Sequence, residues 1–240
     1  FSTAKTDTER YLYDTDGDLL EKSRLKSNGD TLITRYNREV ARNSSGFQKY
    51  LNEELVYKAP GGEIRTPLWR KVTSYYPITT PQGCTWNVPL SFGVYHSGDT
   101  FVSRTWCSDV DDFGNPLEVG RHTGDRVTYI WGFNGKYLLA RIENASWKEV
   151  EELLEIPVKS YSHTQGNREE LNDLRVKLPQ ARVYTYTYSD GVGLTSETSP
   201  NGCTIYYNYD RQGRLSQVSR LHEGKQGDIL QLYNYHIVNQ

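Results

Sequence analysis

Three carboxylates crowd one short stretch, Asp14, Asp16 and Asp18 around Gly17, and together they form the kind of oxygen cluster that could hold Ca²⁺. The loop lacks the bidentate Glu that an EF-hand places at its end, because Leu25 stands there, so a solvated turn is the plainer reading. Asp109, Asp111 and Asp112 with Asn115 invite the same comparison, weakened by Phe113 in their midst. The five histidines, His96, His122, His163, His222 and His236, are scattered, and none has the spacing of a metal site or a paired base. His163 near Ser160 and Ser162 suggests a base and a nucleophile, yet no Gly-x-Ser-x-Gly elbow accompanies them. Glu149, Glu151 and Glu152 fit a charged helix face better than a glycosidase pair. Cys84, Cys107 and Cys203 are too few and too irregular for a disulfide framework; Cys84 with Cys107 could bridge in an oxidising compartment, and three small buried hydrophobes is the simpler expectation. No phosphate-binding glycine loop and no other cofactor motif occurs, so the sequence points to no cofactor, no metal and no catalytic residue. The remaining chemical handle is aromatic. Trp86, Trp106 and Trp131 could stack on sugar rings if they face solvent, although core packing is the commoner fate of such residues.

These residues must be positioned by an aromatic, turn-rich frame. The chain of 240 residues has 19 Tyr, 5 Trp and 6 Phe and a formal charge of −2, which suits pleated, half-buried surfaces. Its charges are spread along the chain, which argues against a nucleic-acid surface, where Lys and Arg cluster. No run of about 20 apolar residues could span a membrane as a helix. The chain opens at Phe1 rather than Met, as expected of a processed or truncated product.

The main organising feature is an internal repeat. Tyr207 and Tyr209 share one face of a strand, Asp210 can bond its own backbone to start a turn, Gly213 can close it with positive φ, and Arg214 and Leu215 begin the return. Leu215 and Val218 do not alternate strictly, which calls for a bulge or face change near Ser216. Gly227 and Asp228 then turn towards Tyr233 and Tyr235, giving a three-stranded meander over about 204–236. A looser copy runs from Tyr11, Tyr13, Asp14 and Gly17 to Tyr36, and a third from Asp111 and Gly114 to Trp131. A separate echo links Gly83, Cys84 and Thr85 to Gly202, Cys203 and Thr204, each after a Pro two residues before the glycine.

The string from Tyr207 to Leu215, with Gly227, Asp228 and the closing Tyr233 and Tyr235, resembles the YD repeat of the RHS-repeat proteins. The resemblance is best over about 174–237 and extends through Tyr184, Tyr186 and Tyr188; near 11–36 and 111–131 it is weaker, with Asp18 standing where the C-terminal copy has Arg214. It is similar to such proteins of gut-dwelling Gram-negative bacteria, in which the repeats belong to large envelope or secreted chains and can wrap a β-sheet into a cage around a toxic C-terminal segment. The resemblance implies a non-enzymatic scaffold or shell module of the cell envelope or extracellular space. The alternative is a surface module binding carbohydrate or another protein through exposed aromatics or a sheet edge.

The expected architecture is mainly β, an antiparallel strip of hairpins and meanders, forming one continuous unit. Residues 1–145 form a β-rich region, with a short helix near 47–55 suggested by the spacing of Phe47, Tyr50, Leu51 and Leu55. Residues 146–178 form an αα insertion: Trp147, Val150 and Leu154 after a cap at Asn144 or Ser146, then Leu171, Leu174 and Leu178 after Asn167 with Glu170 as capping-box partner. The linker 159–166 is expected to be mobile, and 179–240 forms the YD-type meander.

Overall fold

The computed structural model describes residues 8–43, 46–60, 63, 67–79, 83–97, 100–221 and 227–235. Its strands are β1 (Thr8–Tyr13), β2 (Leu19–Leu25), β3 (Asp30–Asn43), β4 (Gly46–Pro60), β5 (Trp69–Thr79), β6 (Thr85–His96), β7 (Thr100–Cys107), β8 (Glu118–Arg121), β9 (Arg126–Gly132), β10 (Tyr137–Glu143), β11 (Arg182–Ser189), β12 (Gly193–Thr198), β13 (Thr204–Tyr209), β14 (Leu215–Leu221) and β15 (Asp228–Leu232). Helices α1 (Trp147–Leu154), α2 (Val158–Tyr161) and α3 (Arg168–Lys177) fall between β10 and β11. The protein is mainly β and antiparallel, and strand order in the sheet follows strand order in the chain. By its internal contacts the chain divides into two compact units: 1–107 with 120–124, and 108–119 with 125–240. The helices lie inside the second.

One turn recurs. At Asp14, Lys26, Asp111, Ser199 and Asp210 the backbone N–H of the first residue donates to the carbonyl four positions on at 2.8–2.9 Å. The N–H of a glycine three positions on donates back to the first residue's carbonyl at 3.0–3.2 Å. Those glycines, Gly17, Gly29, Gly114, Gly202 and Gly213, have φ between +75° and +88°. This is a type I turn closed by a residue in the left-handed region, a conformation that glycine adopts without a Cβ penalty.

A second device follows many of the hairpins. In β13–β14 the register passes from Tyr209 opposite Leu215 to Asn208 opposite Gln217, so Ser216 is the bulged residue, at the place where the broken alternation requires it. The same step occurs at Leu20 after Tyr13 pairs with Leu19, at Val102 after Tyr95 pairs with Phe101, at Leu139 after Trp131 pairs with Leu138, and at Thr195 after Tyr188 pairs with Leu194. Each bulge thus follows an aromatic residue paired with Leu or Phe. The β14–β15 hairpin bulges at Leu230 with no aromatic in that place.

The helix expected near 47–55 is instead part of β4, paired along β3. The spacing misleads because Asn52 is a bulge: Asn37 faces Glu53 and Arg38 faces Leu51. The extra residue puts Tyr50 on the same face as Leu55 and Tyr57, so a period of two reads as a helical one. Tyr233 and Tyr235 also depart from expectation, since they follow the last strand rather than forming one.

In the first unit only Ile33, Ala59 and Ile78 are buried apolar side chains among the described residues. Cross-strand charges take the place of a core: Arg35 with Glu21 at 2.9 Å, Arg70 with Glu53 at 2.6 Å and Lys58 with Asp30 at 2.8 Å. The second unit has a continuous core of Leu117, Ile130, Ile142, Val150, Leu174 and Val183 with their neighbours, made where the helices cover β9–β11.

Ser146 caps α1, and Glu149 completes the capping box. The buried Glu118 adds a carboxylate at the same helix start, accepting from Trp147 N–H at 3.0 Å. At α3, Asn167 caps as expected, but Glu170 does not return to its N–H. The Tyr161 hydroxyl bridges them instead, accepting from Asn167 N–H at 3.1 Å and donating to Glu170 at 2.9 Å. The linker 159–166 carries the end of α2 and buries Tyr161 and Ser162, so it is built into the core rather than a free loop.

Arg175 fastens α3 to the sheet. Its guanidinium donates to Asn172 Oδ1, Thr185 Oγ1 and the carbonyls of Thr198 and Ser199 at 2.6–3.1 Å. Burial pulls its pKa down to about 10, with the Arg168 charge adding to the effect. Arg175→Met should reduce unfolding free energy by about 2–3 kcal/mol, because several acceptors lose a charged donor together. Urea unfolding checks this; a loss below about 0.5 kcal/mol, the range of ordinary surface substitutions, would contradict it.

Candidate functional site

The acidic turn at Asp14 is filled by the protein's own cation. Lys49 Nζ lies 3.1 Å from Asp14 Oδ2, 2.5 Å from Asp16 Oδ2 and 2.8 Å from Asp18 Oδ2, and these contacts hold the ammonium well above its usual pKa, Asp16 contributing most. The same position differs among the copies. In the C-terminal turn the fifth residue, Arg214, donates from Nε to Asp210 Oδ2 at 2.8 Å, and in the middle turn Asn115 Nδ2 donates to Asp111 Oδ2 at 3.1 Å. Asp18 has no donor to offer, and Lys49 from β4 supplies one from across the sheet.

The C-terminal signature residues meet around their turn. Asp210 Oδ1 accepts from the N–H groups of Gln212 and Arg214, each at 2.9 Å. Arg214 lies over the Tyr235 ring at 4.3 Å, and the Tyr235 hydroxyl donates to Leu215 O at 2.9 Å. Tyr209 donates to Leu194 O at 2.8 Å, and burial raises the Tyr207 pKa. A Cβ on Gly227 would stand 2.8 Å from Arg220 O, so glycine lets the chain pass close to that carbonyl. Tyr233 continues the pairing by donating its N–H to Ser216 O at 2.9 Å.

The other titratable candidates are likewise engaged. Asp112 meets His163 Nε2 at 3.0 Å and Lys159 at 3.4 Å; the bond to His163 is the main cause of its lowered pKa. Ser162 is buried and donates to Lys159 O, away from any base. Glu149 serves the cap, and Glu151 accepts from Val158 N–H at 2.8 Å. His122 accepts from Arg104 N–H and meets Phe101 edge to face, while His96 meets Trp69. His222 and His236 lie outside the described residues. Cys84 is exposed and Cys107 and Cys203 are half-buried, so the expectation of three buried hydrophobes is not met. Among the described residues no three His, Cys, Asp or Glu side chains converge to hold a metal.

The tryptophans take different places. The side chain of Trp86 lies outside the described residues. Trp131, in the second unit, is half-buried against the core, and its indole N–H donates to Pro116 O at 2.8 Å. Trp106, in the first, is half-buried in one cross-strand row with Ser91 and Ser74, and the register puts Arg104 two residues away on the same face. These side chains and Leu90 line a wide cleft of about 580 Å³. A Cβ on Gly120 would come within 2.6 Å of the Trp106 ring, so a glycine there makes room for the indole.

A second cleft, of about 240 Å³, opens in the second unit beside the start of α3. Its walls include Phe133, Tyr186, Tyr188, Gln165 and Arg168. Tyr137 supports two of them, stacking on Tyr188 at 4.4 Å and 9° and meeting Phe133 edge to face at 5.3 Å. Burial raises the Tyr188 pKa to about 12. This grouping is hidden from the sequence because its members come from three separated elements. The one local signal was Phe133-Asn134-Gly135, a turn in which all three residues have positive φ.

No family model matches the chain, and no curated protein matches it in sequence. Solved structures similar to it include a crystal structure of TcdB2-TccC3-TEV, at 11% identity and TM-score 0.35, covering 98% of this chain and 9% of that one. Another is the Photorhabdus luminescens Tc holotoxin pore, at 14% identity and TM-score 0.35, covering 92% of this chain and 12% of that one. The chain therefore spans about a tenth of the length of these proteins.

The Asp210 turn sets a pH dependence. The Arg214 N–H is the main cause holding the Asp210 carboxyl below its ordinary range, followed among the lowering contacts by the Arg214 side chain. A depressed carboxylate pKa stabilises the fold above the unfolded value of about 3.9, and that contribution is lost as pH falls through the lower folded value. Carboxyl-carbon NMR titration should place the Asp210 midpoint below the unfolded value of about 3.9; a midpoint at or above it would contradict the turn geometry.

Proposed function

We propose that this chain is a non-enzymatic scaffold or shell module of YD-repeat type, belonging to a secreted or cell-envelope bacterial protein, with protein surfaces rather than a small substrate as its partners. The observation that carries this reading is the serial use of one hairpin plan. Among the described residues the same glycine-closed turn occurs at five places, and the same bulge follows an aromatic residue paired with Leu or Phe in five hairpins. Serial repetition of one structural unit suits a wall or spacer. The ion pairs of Asp210 with Arg214 and of Asp14 with Lys49 are spent on closing turns.

The outermost strands support the same reading. Every residue of β1 and of β15 is exposed, including Tyr11, Leu12, Tyr13, Ile229 and Leu232, and among the described residues each strand has a sheet neighbour on one side alone. Edges of this kind pair readily with further strands. In this reading they are joints at which the strip meets another strand.

Sedimentation velocity tests the joints. The chain should self-associate as its concentration rises, and Ile229→Lys with Leu232→Lys should shift it towards monomer while leaving its circular dichroism unchanged. A chain that stays monomeric throughout, or a folded double variant that associates as before, would count against open edges as its working surfaces.

A further inference from the structure

We infer that the cleft beside α3 binds a single pyranose ring of a glycan, held between the aromatic wall of Phe133 and Tyr188 and the polar groups of Arg168 and Gln165. This site is separate from the scaffold role, and it differs from the tryptophan positions that the sequence suggests for sugar stacking.

Several observations converge on that class of guest. Phe133 has φ +55°, a region that bulky side chains rarely occupy, and its N–H is fixed to Thr164 O at 2.7 Å. Such outliers persist only where the surroundings over-determine them, and they gather at ligand sites. The consequence here is that the Phe133 ring stands at the cleft wall against Tyr137. Tyr137 in turn fixes the Tyr188 ring by parallel stacking, so the aromatic surfaces are held in place before any guest arrives. The floor is equally specific: a Cβ on Gly166 would come within 2.5 Å of Leu139, so glycine there lets the loop lie against it.

The polar wall narrows the choice. Aromatic faces alone would also suit a cation, but the Arg168 guanidinium repels one. A purely apolar guest would strip water from Arg168 and Gln165 without replacing their hydrogen bonds. Of the five N–H donors on Arg168, one is bonded within the protein, to the Tyr206 hydroxyl at 3.2 Å, which steadies the side chain and leaves donors over. A flat ring with apolar C–H faces and an equatorial rim of hydroxyl or carboxylate groups satisfies both walls. At about 240 Å³ the cleft is below the range of about 300–1,000 Å³ for drug-sized ligands, so it takes one ring and leaves the rest of a chain outside.

The test is saturation-transfer difference NMR on the full chain. The probes are the methyl pyranosides of glucose, galactose, mannose, N-acetylglucosamine and glucuronic acid, with p-cresol as an aromatic control. At least one pyranoside should receive saturation chiefly on the C–H protons of one ring face. Phe133→Gly accommodates the positive φ while removing the ring, and Arg168→Ala removes the charged donor. Each should weaken binding at least tenfold with circular dichroism retained; if the first variant unfolds, the second decides. No saturation of any pyranoside, undiminished binding in a folded variant, or binding of p-cresol in preference to every sugar would overturn the assignment, the last pointing to an aromatic peptide side chain.

Discussion

The structure depends on a backbone closure five residues long, in which the first N–H reaches the fifth carbonyl and a glycine with positive φ sends its N–H back to the first. Once formed, that closure fixes where the two strands start, and therefore which side chains oppose one another. Asp at the first position strengthens it, because one carboxylate oxygen accepts two N–H groups of the turn at Asp14, Asp111 and Asp210. The other oxygen accepts a donor whose origin varies: Arg214, Asn115, or Lys49 from a different strand. The repeat thus conserves an acceptor geometry while letting the donor change.

The bulge after the aromatic pair is the second constraint. An extra residue in the returning strand increases local twist, and it recurs in β1–β2, β6–β7, β9–β10, β11–β12 and β13–β14. The two units then solve the burial problem differently. The first has few buried apolar side chains and relies on cross-strand ion pairs and rings such as Tyr50 against Tyr75 at 4.2 Å. The second covers β9–β11 with helices and gains a dry core in which Leu174, Val150 and Val158 have no exposed surface. Exposed ion pairs contribute little individually, so most of the stabilising burial resides in the second unit.

Much of this was legible in the sequence where local chemistry decides the outcome. The turn at Asp210, the bulge at Ser216, the Ser146 and Asn167 caps and the Leu171–Leu174 stripe all rest on neighbouring residues. The echo between Gly83 and Gly202 is structural as well: both have φ near +80°, and each precedes a cross-strand Thr–Thr hydrogen bond, Thr79 with Thr85 at 3.0 Å and Thr198 with Thr204 at 2.9 Å. Failures occur where the frame shifts or where partners are distant. The Asn52 bulge disguised β4 as a helix, and Lys49 could not be matched to Asp14, Asp16 and Asp18 without knowing that β4 crosses beside that turn. The aromatic pairs before the bulges offered a readable signal, since Tyr13, Tyr95, Tyr188 and Tyr209 each precede their Leu or Phe partner by six residues. Only two of those four stand out by motif, because the intervening turns differ. The α3 cleft was illegible for a different reason: Phe133, Arg168 and Tyr188 meet only after the helices fold back on the sheet.

A scaffold assembled from repeated closures has a direct experimental signature. NMR-detected amide hydrogen exchange on the native chain should show the first N–H of each closure, at Asp14, Lys26, Asp111, Ser199 and Asp210, protected relative to the amides of β1 and β15 that point away from β2 and β14. Protection at all five would establish the common turn as the frame of the molecule. Exchange at those amides as fast as at the open edges would contradict it.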